Sequence, residues 1–348
     1  MFKVTGVLQK QAWRDRVLPP VERVRPGLWS IPVPIPNSPL RYVLVYAFEL
    51  PDGLAIVDAG WDTPQAWDAL VSGLATAGAK VDDVRAVLVT HIHPDHYGLA
   101  GRVRAASGGW IGLHAREAET LPARYGQVDR MIEVSYRWLR RCGVPDGEAR
   151  VMAGSSKELL PFVHMAEPDR LLDHDDRIGL PGWDLRAVWT PGHTPGHLCF
   201  YDQTRQLLLS GDHVLPRISP NISVHPQQPV NPLGDFLRTF DDLSALPVAE
   251  VLPAHEYRFA GLADRLDQLR RHHEERLAEL VRLVRDGPGQ TTWDLAQRLT
   301  WSRPWEQIEG YMRRAAIGET LAHLTLLASR GLVHATEGEV QGWHTGQA

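Results

Sequence analysis

Cysteine is almost missing from this chain: Cys142 and Cys199 are its only two, in unrelated surroundings, and no C-x-x-C pair occurs. Neither a disulfide framework nor a cysteine-built zinc ribbon is expected. Long apolar runs are missing as well, and none reaches the roughly 20 residues that a membrane-spanning helix needs. The opening MFKVTGVLQKQAWRDR has no continuous apolar stretch of the secretory type, so a cytoplasmic location is expected. Basic excess is a third absence: 37 Lys and Arg stand against 42 Asp and Glu, for a net charge of −5. No global positive field draws such a chain to nucleic acid or to an anionic membrane. Internal repeats and low-complexity tracts are absent too.

What is present is ordinary globular material. With 348 residues and 43% hydrophobic content, the chain can build a sizeable core without staples. Through about residue 260, short β-type runs alternate with helical patterns. YVLVYAFEL (Tyr42–Leu50) and GLAIVDAG (Gly53–Gly60) flank Pro51-Asp52 and read as a hairpin. DTPQAWDALVSGLATAG reads as a helix capped by Asp62 or Thr63, with Pro64 in its first turn. VRAVLVT (Val84–Thr90) reads as a buried strand. Residues Arg116 to Pro168 break the rhythm as a helical insertion, and strands resume with WDLRAVWT, HLCFYDQ, QLLLSGD and EVLPAHE. The expectation is a mixed α/β (α+β) domain over residues 1–260, with sheet sandwiched between helices.

From Gly261 the pattern changes to one long amphipathic helix, ADRLDQLRRHHEERLAELVRLVRDG, followed by two helices and a short β element. That order resembles a winged-helix unit, so residues 261–348 are read as a small second domain.

The chemistry concentrates at VLVTHIHPDHYGLAG (Val87–Gly101). His91, His93, Asp95 and His96 crowd the end of an apolar strand, where a loop can aim lone pairs at a common point. Neutral imidazoles and carboxylates in such a cluster suit zinc, iron or manganese. Three later runs also end in ionisable residues: VWTPGHTPGH with His193 and His197, LLLSGDHV with Asp212 and His213, and VLPAHE with His255 and Glu256. Loops that follow strands gather over one sheet edge, where such groups can meet.

THIHPDHYG, TPGHT, SGD and PAHE, in this order, resemble the metallo-β-lactamase superfamily, and more narrowly its glyoxalase II and lactonase-like hydrolase branches. The resemblance spans about residues 20 to 260 and implies a four-layer αββα sandwich with a two-metal site at one sheet edge. It further implies that His91, His93 and His193 hold one ion. Asp95, His96 and His255 hold the other, with Asp212 between them. His193 is preferred because the family ligand is the His of PGHT, and His197 is the alternative. Asp58, in IVDAG, matches a position that orients a liganding imidazole, although it also reads as a plain strand-end turn residue. Asp212 stands where class B β-lactamases often carry a cysteine ligand, which disfavours lactamase activity.

The expected activity is that of a metal-dependent hydrolase with two divalent ions per chain, zinc by default and manganese or iron compatible. Hydroxide generated there attacks the carbonyl of a thioester, ester or lactone of a small acyl substrate, with Asp95 as the catalytic proton-handling residue. Two alternatives use related sites: a metal-dependent endoribonuclease or phosphodiesterase, and a mononuclear iron persulfide dioxygenase. The tail resembles that of a β-lactamase-like subfamily containing a single-strand-specific endoribonuclease. Its arginines, however, are interleaved with acids, and Arg270–Glu274 and Arg271–Glu275 have the spacing to pair on the helix. The tail is therefore read as structural, covering the core, closing one side of the cleft or supporting a homodimer, and nucleic acid is not an expected partner. Tyr125, Met131, Tyr136, Trp138 and Phe162 of the insertion are candidates to line an apolar substrate pocket. His114 and the pair His272-His273 are expected at solvated positions.

Overall fold

The structure, a computed structural model, describes residues 1–228 and 230–346. It opens with a two-residue strand, β1 (Lys3–Val4), and a helix, α1 (Val7–Asp15). A seven-stranded sheet follows in chain order. Its strands are β2 (Glu22–Arg25), β3 (Leu28–Pro34), β4 (Tyr42–Leu50), β5 (Gly53–Val57), β6 (Val84–Leu88), β7 (Trp110–His114) and β8 (Arg170–Leu172). Pairing is antiparallel from β2 to β5 and parallel from β5 to β8. Parallel neighbours need crossovers. These carry α2 (Pro64–Thr76), then α3 (Pro94–Tyr97) and α4 (Ala100–Ser107), then the insertion with α5 (Ala115–Leu121), α6 (Val128–Arg141) and α7 (Asp146–Gly154).

The second sheet has six strands in the order β1-β13-β12-β11-β10-β9. They include β9 (Leu185–Trp189), β10 (Leu198–Asp202), β11 (Leu207–Gly211), β12 (Glu250–Pro253) and β13 (Phe259–Ala260), and helix α8 (Pro232–Ala245) joins the parallel neighbours β11 and β12. The C-terminal stretch comprises α9 (Leu262–Asp286), β14 (Gln290–Thr291), α10 (Thr292–Arg298), α11 (Gly310–Ser329), β15 (Val333–Ala335) and β16 (Gly342–Thr345), the three strands forming a small sheet.

Alternation within β4 explains the layering. Tyr42, Leu44, Tyr46 and Phe48 face the second sheet and pack with Leu198, Phe200, Leu207 and Leu209. The intervening Val43, Val45 and Ala47 face outward onto Leu70 and Leu74 of α2 and Val103 of α4. Period-two side chains thus serve two cores at once. A third core covers the outer face of the second sheet, where Tyr201, Leu208 and Val251 meet Phe236 of α8 and Leu266 and Leu269 of α9. The result is the expected mixed α/β arrangement of helices, sheet, sheet and helices. Residues after Gly261 share this third core, which runs on through Leu295, Leu324 and Trp343. At the start of α2, Thr63 is the residue that caps, its Oγ1 accepting from the Ala66 N–H at 3.2 Å.

Two expectations for the long helix are corrected. Arg270 and Glu274 pair with other elements rather than with each other: Arg270 meets Asp241 of α8 at 2.8 Å and Glu274 meets Arg330 at 2.9 Å, while Arg276 and Glu279 pair along α9 at 2.8 Å. Neighbouring helices flank α9 closely enough to offer these partners. His273 is buried, with Nδ1 3.1 Å from His323 Nε2, because the inward stripe through Leu266, Leu269, Leu277 and Leu280 includes its position. No helix among the described residues is long and apolar enough to cross a membrane.

The two sheets are tied by an ion network centred on the buried pair Arg258–Glu250. Arg258 reaches Glu22 of β2 at 2.6 Å and Glu250 of β12 at 2.8 Å, and Arg25 also binds Glu250 at 2.8 Å. Replacing Arg258 by Met strips a buried carboxylate of its main partner, so a loss of about 3 kcal/mol is expected in urea unfolding. Adding Glu250→Gln to that variant should recover part of the loss. A double variant no more stable than the single one would contradict this account of the network.

Candidate metal centre

Loops that follow strands of both sheets deliver the parts of the site to a common edge. His91 and His93 lie in the loop after β6, Asp95 and His96 on the short α3, and His193 in the loop between β9 and β10. Asp212 follows β11 and His255 follows β12. His91 Nε2 stands 2.9 Å and His193 Nε2 3.0 Å from His93 Nδ1. A second group adjoins the first. His255 Nε2 lies 3.1 Å from Asp212 Oδ1 and 3.4 Å from Asp95 Oδ2, and His96 Nε2 is 3.6 Å from each of these oxygens. Asp212 faces both groups, because its other oxygen, Oδ2, is 3.6 Å from His193 Nε2.

Contacts on the far side orient three of the rings. His193 Nδ1 donates to the Asn221 carbonyl and His255 Nδ1 to the Tyr42 carbonyl, both at 2.8 Å. His96 Nδ1 lies 2.8 Å from Asp58 Oδ2. Each Nε2 is thereby presented toward the cluster. His96 Nε2, His255 Nε2 and Asp212 Oδ1 are buried and have no hydrogen-bond partner. Three orphaned polar atoms converging on one volume are costly unless a ligand completes them. Neutral imidazole and carboxylate donors in that arrangement fit divalent cations.

Electrostatics divides the two groups. Burial, together with neighbouring histidines, holds His91 and His93 well below the usual imidazole range. Burial lowers His193 as well, against the pull of Asp212. On the other side burial also disfavours charge, but Asp58, Asp95 and Asp212 outweigh it and raise His96 well above its ordinary value. Burial is likewise overcome at His255, which Asp212 and Asp95 push up to about 10. The carboxylates of that second group are therefore balanced by protons, which a bound cation has to displace.

His197, the alternative to His193, has both nitrogens committed elsewhere. Its Nε2 accepts from the Asp212 N–H at 3.1 Å, and its Nδ1 lies 2.8 Å from Thr190 Oγ1. It positions the Asp212 backbone instead of facing the cluster. Gly211 makes this possible: a side chain there would place its Cβ 2.6 Å from His197 Nε2, and its φ is +49°. Asp58 is also in the left-handed region, at φ 62°, and its Oδ1 accepts from the Thr90 N–H at 2.8 Å while Oδ2 meets His96. Such strain in a non-glycine residue is concentrated where the surroundings over-determine it.

The sequence profile of the metallo-beta-lactamase superfamily matches residues 38–255. The chain belongs to that superfamily. A solved relative, a metallo-beta-lactamase family protein from Thermus thermophilus, superposes with a TM-score of 0.80 at 31% identity, covering 93% of this chain and 100% of that one. The "Probable metallo-hydrolase YqjP" of Bacillus subtilis (strain 168) is 27% identical over 71% of this chain and 80% of its own length. The human "Acyl-coenzyme A thioesterase MBLAC2" is 29% identical over 55% of this chain and 63% of its own length.

Beside the cluster of this metallo-beta-lactamase fold lies a cavity of about 760 Å³, counting its open mouth, with His93 and His193 in its wall. The insertion supplies Tyr125, Met131 and Trp138, as the sequence suggests. Two other candidates are elsewhere: Tyr136 bonds Asp146 at 2.5 Å, and Phe162 packs on Trp61 with ring centroids 4.5 Å apart. Helix α11 closes the far side through Tyr311, Arg314 and Gly318, so the C-terminal stretch helps form the cleft. His114 is buried rather than solvated. It stacks on Trp189 at 5.5 Å and its Nδ1 accepts from the Arg116 N–H, capping α5. His213 bonds Thr239 at 2.7 Å, and Arg217 is exposed.

Glu117 escapes any reading of the sequence, where AREAET looks like a solvated helix start. Its buried carboxylate accepts from the Ile92 N–H at 3.0 Å and the Gly196 N–H at 2.7 Å, clamping the His91–His93 loop to the loop after His193. Glu117→Ala leaves two buried N–H groups unpaired, an expected cost of about 2–4 kcal/mol. Metal retention in a chelator titration should fall with it. Wild-type stability and metal retention in that variant would refute the clamp.

Proposed function

We propose that this protein is a two-metal hydrolase that cleaves the carbonyl ester, thioester or lactone bond of a small acyl substrate. The observation that carries the reading is Asp212, whose two oxygens face the two donor groups separately. In this reading His91, His93 and His193 hold one divalent ion, Asp95, His96 and His255 hold the other, and Asp212 spans both. Zinc is the default, with manganese or iron suited to the same donors. Ions bound there supply Lewis acidity toward a carbonyl oxygen and make water acidic enough to be a nucleophile near neutral pH.

The protein's own residues do the rest. Asp95 presents an oxygen at the junction of the second group and is the catalytic residue that takes and returns the proton of the attacking water. Asp58 and the Tyr42 and Asn221 carbonyls keep the imidazole rings turned so that lone pairs meet the cations. Met131, Trp138 and Leu159 offer an apolar wall beside His93, which suits an acyl chain and shields it from water. The thioesterase activity named for the human relative falls in the same reaction class. Residues 261–348, which we treat as an appended winged-helix-like unit, then serve as one wall of the substrate cleft. Arg270 and Arg330 are engaged by acids, which leaves these two little charge to offer a phosphate backbone.

Metal-stripped protein should be inactive and regain turnover with about two equivalents of zinc or manganese. Asp212→Ala should lose turnover while keeping its far-UV spectrum, and Asp58→Ala should weaken metal binding about 10- to 100-fold. A panel of acyl thioesters, lactones, phosphodiesters and single-stranded RNA tests the substrate class, with thioesters or lactones expected to lead. Preference for RNA over every acyl substrate overturns the reading. So does a single iron per chain with consumption of oxygen.

A further inference from the structure

The cavity beside the metal centre carries two guanidinium groups delivered by distant parts of the chain. Arg124 comes from the turn after α5 and Arg314 from α11, and both line the same cavity as Asn221, His225 and Gln227. None of the residues lining the cavity is an Asp or a Glu. Arg314 Nη2 donates to Ser135 Oγ at 3.1 Å, which steadies it in place. The carboxylate that acts on Arg124 is Glu117, but both Glu117 oxygens are occupied by the Ile92 and Gly196 N–H groups. Burial works against the charge on Arg314, Tyr311 offsets part of this, and Arg124 adds a smaller push in the same direction as burial. Burial and the same two arginines keep the His225 imidazole well below its usual range.

Two like charges in a partly buried space repel each other strongly, and an anion seated between them relieves that repulsion. A planar guanidinium is matched by carboxylate or phosphate oxygens, which accept paired N–H donors. The cavity that holds both arginines also has His93 and His193 in its lining, and Met131, Trp138, Leu159 and Val224 give it an apolar part suited to a methylene stem.

We propose that Arg124 and Arg314 form an anion subsite that holds a carboxylate or phosphate of the substrate while its acyl carbonyl lies at the His93–His193 end of the cavity. This assignment rests on the hydrolase reading above and deepens it by naming charge as the selected feature. The anion has two sources, a carboxylate ending the acyl chain or a phosphate on its thiol carrier. Neither arginine touches the reacting bond, so both act as specificity residues.

The test uses the metal-loaded full chain with three substrates. Butyryl and succinyl thioesters of N-acetylcysteamine differ only by a terminal carboxylate, and butyryl-coenzyme A adds phosphates on the leaving side. One charged substrate should exceed butyryl-N-acetylcysteamine in kcat/KM by about 10- to 100-fold, the range for hydrogen bonds to a charged group. Succinyl leading places the anion on the acyl chain, and coenzyme A leading places it on the carrier. In Arg124→Gln and Arg314→Gln that ratio should fall toward one. Should Arg314→Gln misfold through loss of its Ser135 contact, Arg124→Gln carries the test alone. Calorimetry with succinate and with inorganic phosphate gives a readout independent of turnover, and binding lost in the arginine variants supports the subsite. Equal turnover of all three substrates, or a preference that survives both variants, overturns the subsite and leaves the hydrolase intact. Arginine-dependent anion binding without any acyl turnover sinks the hydrolase and keeps the subsite. Absence of both defeats the two together.

Discussion

Asp212 is a buried carboxylate placed between two sets of imidazole nitrogens, and the surrounding architecture serves to hold it there. Its Oδ1 has no hydrogen-bond donor although His255 and His96 aim ring nitrogens toward it. An arrangement of this kind is unstable unless cations or protons compensate it. The fold must therefore resist relaxation of these side chains into better mutual hydrogen bonds. It does so by anchoring the His193, His255 and His96 rings from behind with a backbone carbonyl or carboxylate, and by fixing the Asp212 N–H on His197. The cost of convergence is met by the packing of three separate apolar cores that support the loops.

Division of labour along the chain follows from sheet geometry. The two sheets pack face to face, so the loops leaving β6, β9, β11 and β12 reach one edge from both layers. Residues as distant in sequence as His91 and His255 then share one centre. Chain segments that do not build the sheets are free to shape access. The insertion and α11 meet across the cavity, and the long helix α9 carries α11 to that position while packing on the second sheet through its leucine stripe. The edge that carries the histidine cluster and the wall of the cavity beside it thus come from different parts of the chain.

Much of this was legible in the residues because it depends on local signals. Alternation in Tyr42–Leu50, the capped start at Thr63-Pro64 and the leucine spacing of α9 each mark their element directly. The donors were legible because they cluster after apolar strands in spaced motifs. What escaped depended on tertiary neighbours. Glu117 has the sequence surroundings of a surface glutamate, and only the folding of two loops against α5 makes it a buried acceptor. His273 lies among arginines, yet its place on the inward stripe overrides that context. Arg270 had a same-helix partner at the right spacing, but Asp241 of α8 offers a partner from a packed neighbour. Charge pairing on a helix surface is worth only a few tenths of a kcal/mol, so packing decides it.

Composition could not reveal the cleft's charge for a similar reason. A net charge of −5 describes the whole surface, whereas a binding wall is set by the few groups that face it. Arg124 and Arg314 are separated by the rest of the insertion, the second sheet and the long helix, and the only adjacent basic neighbour of either is Arg313. Their convergence exists only because α11 returns to the insertion after α9 has crossed the second sheet. The cavity side therefore has a local positive character within an acidic protein. Because low-polarity walls strengthen interactions at short range, two such groups outweigh many solvated carboxylates in deciding what enters. Selectivity in this structure is consequently a property of chain topology, and the metal-facing motifs carry no information about it.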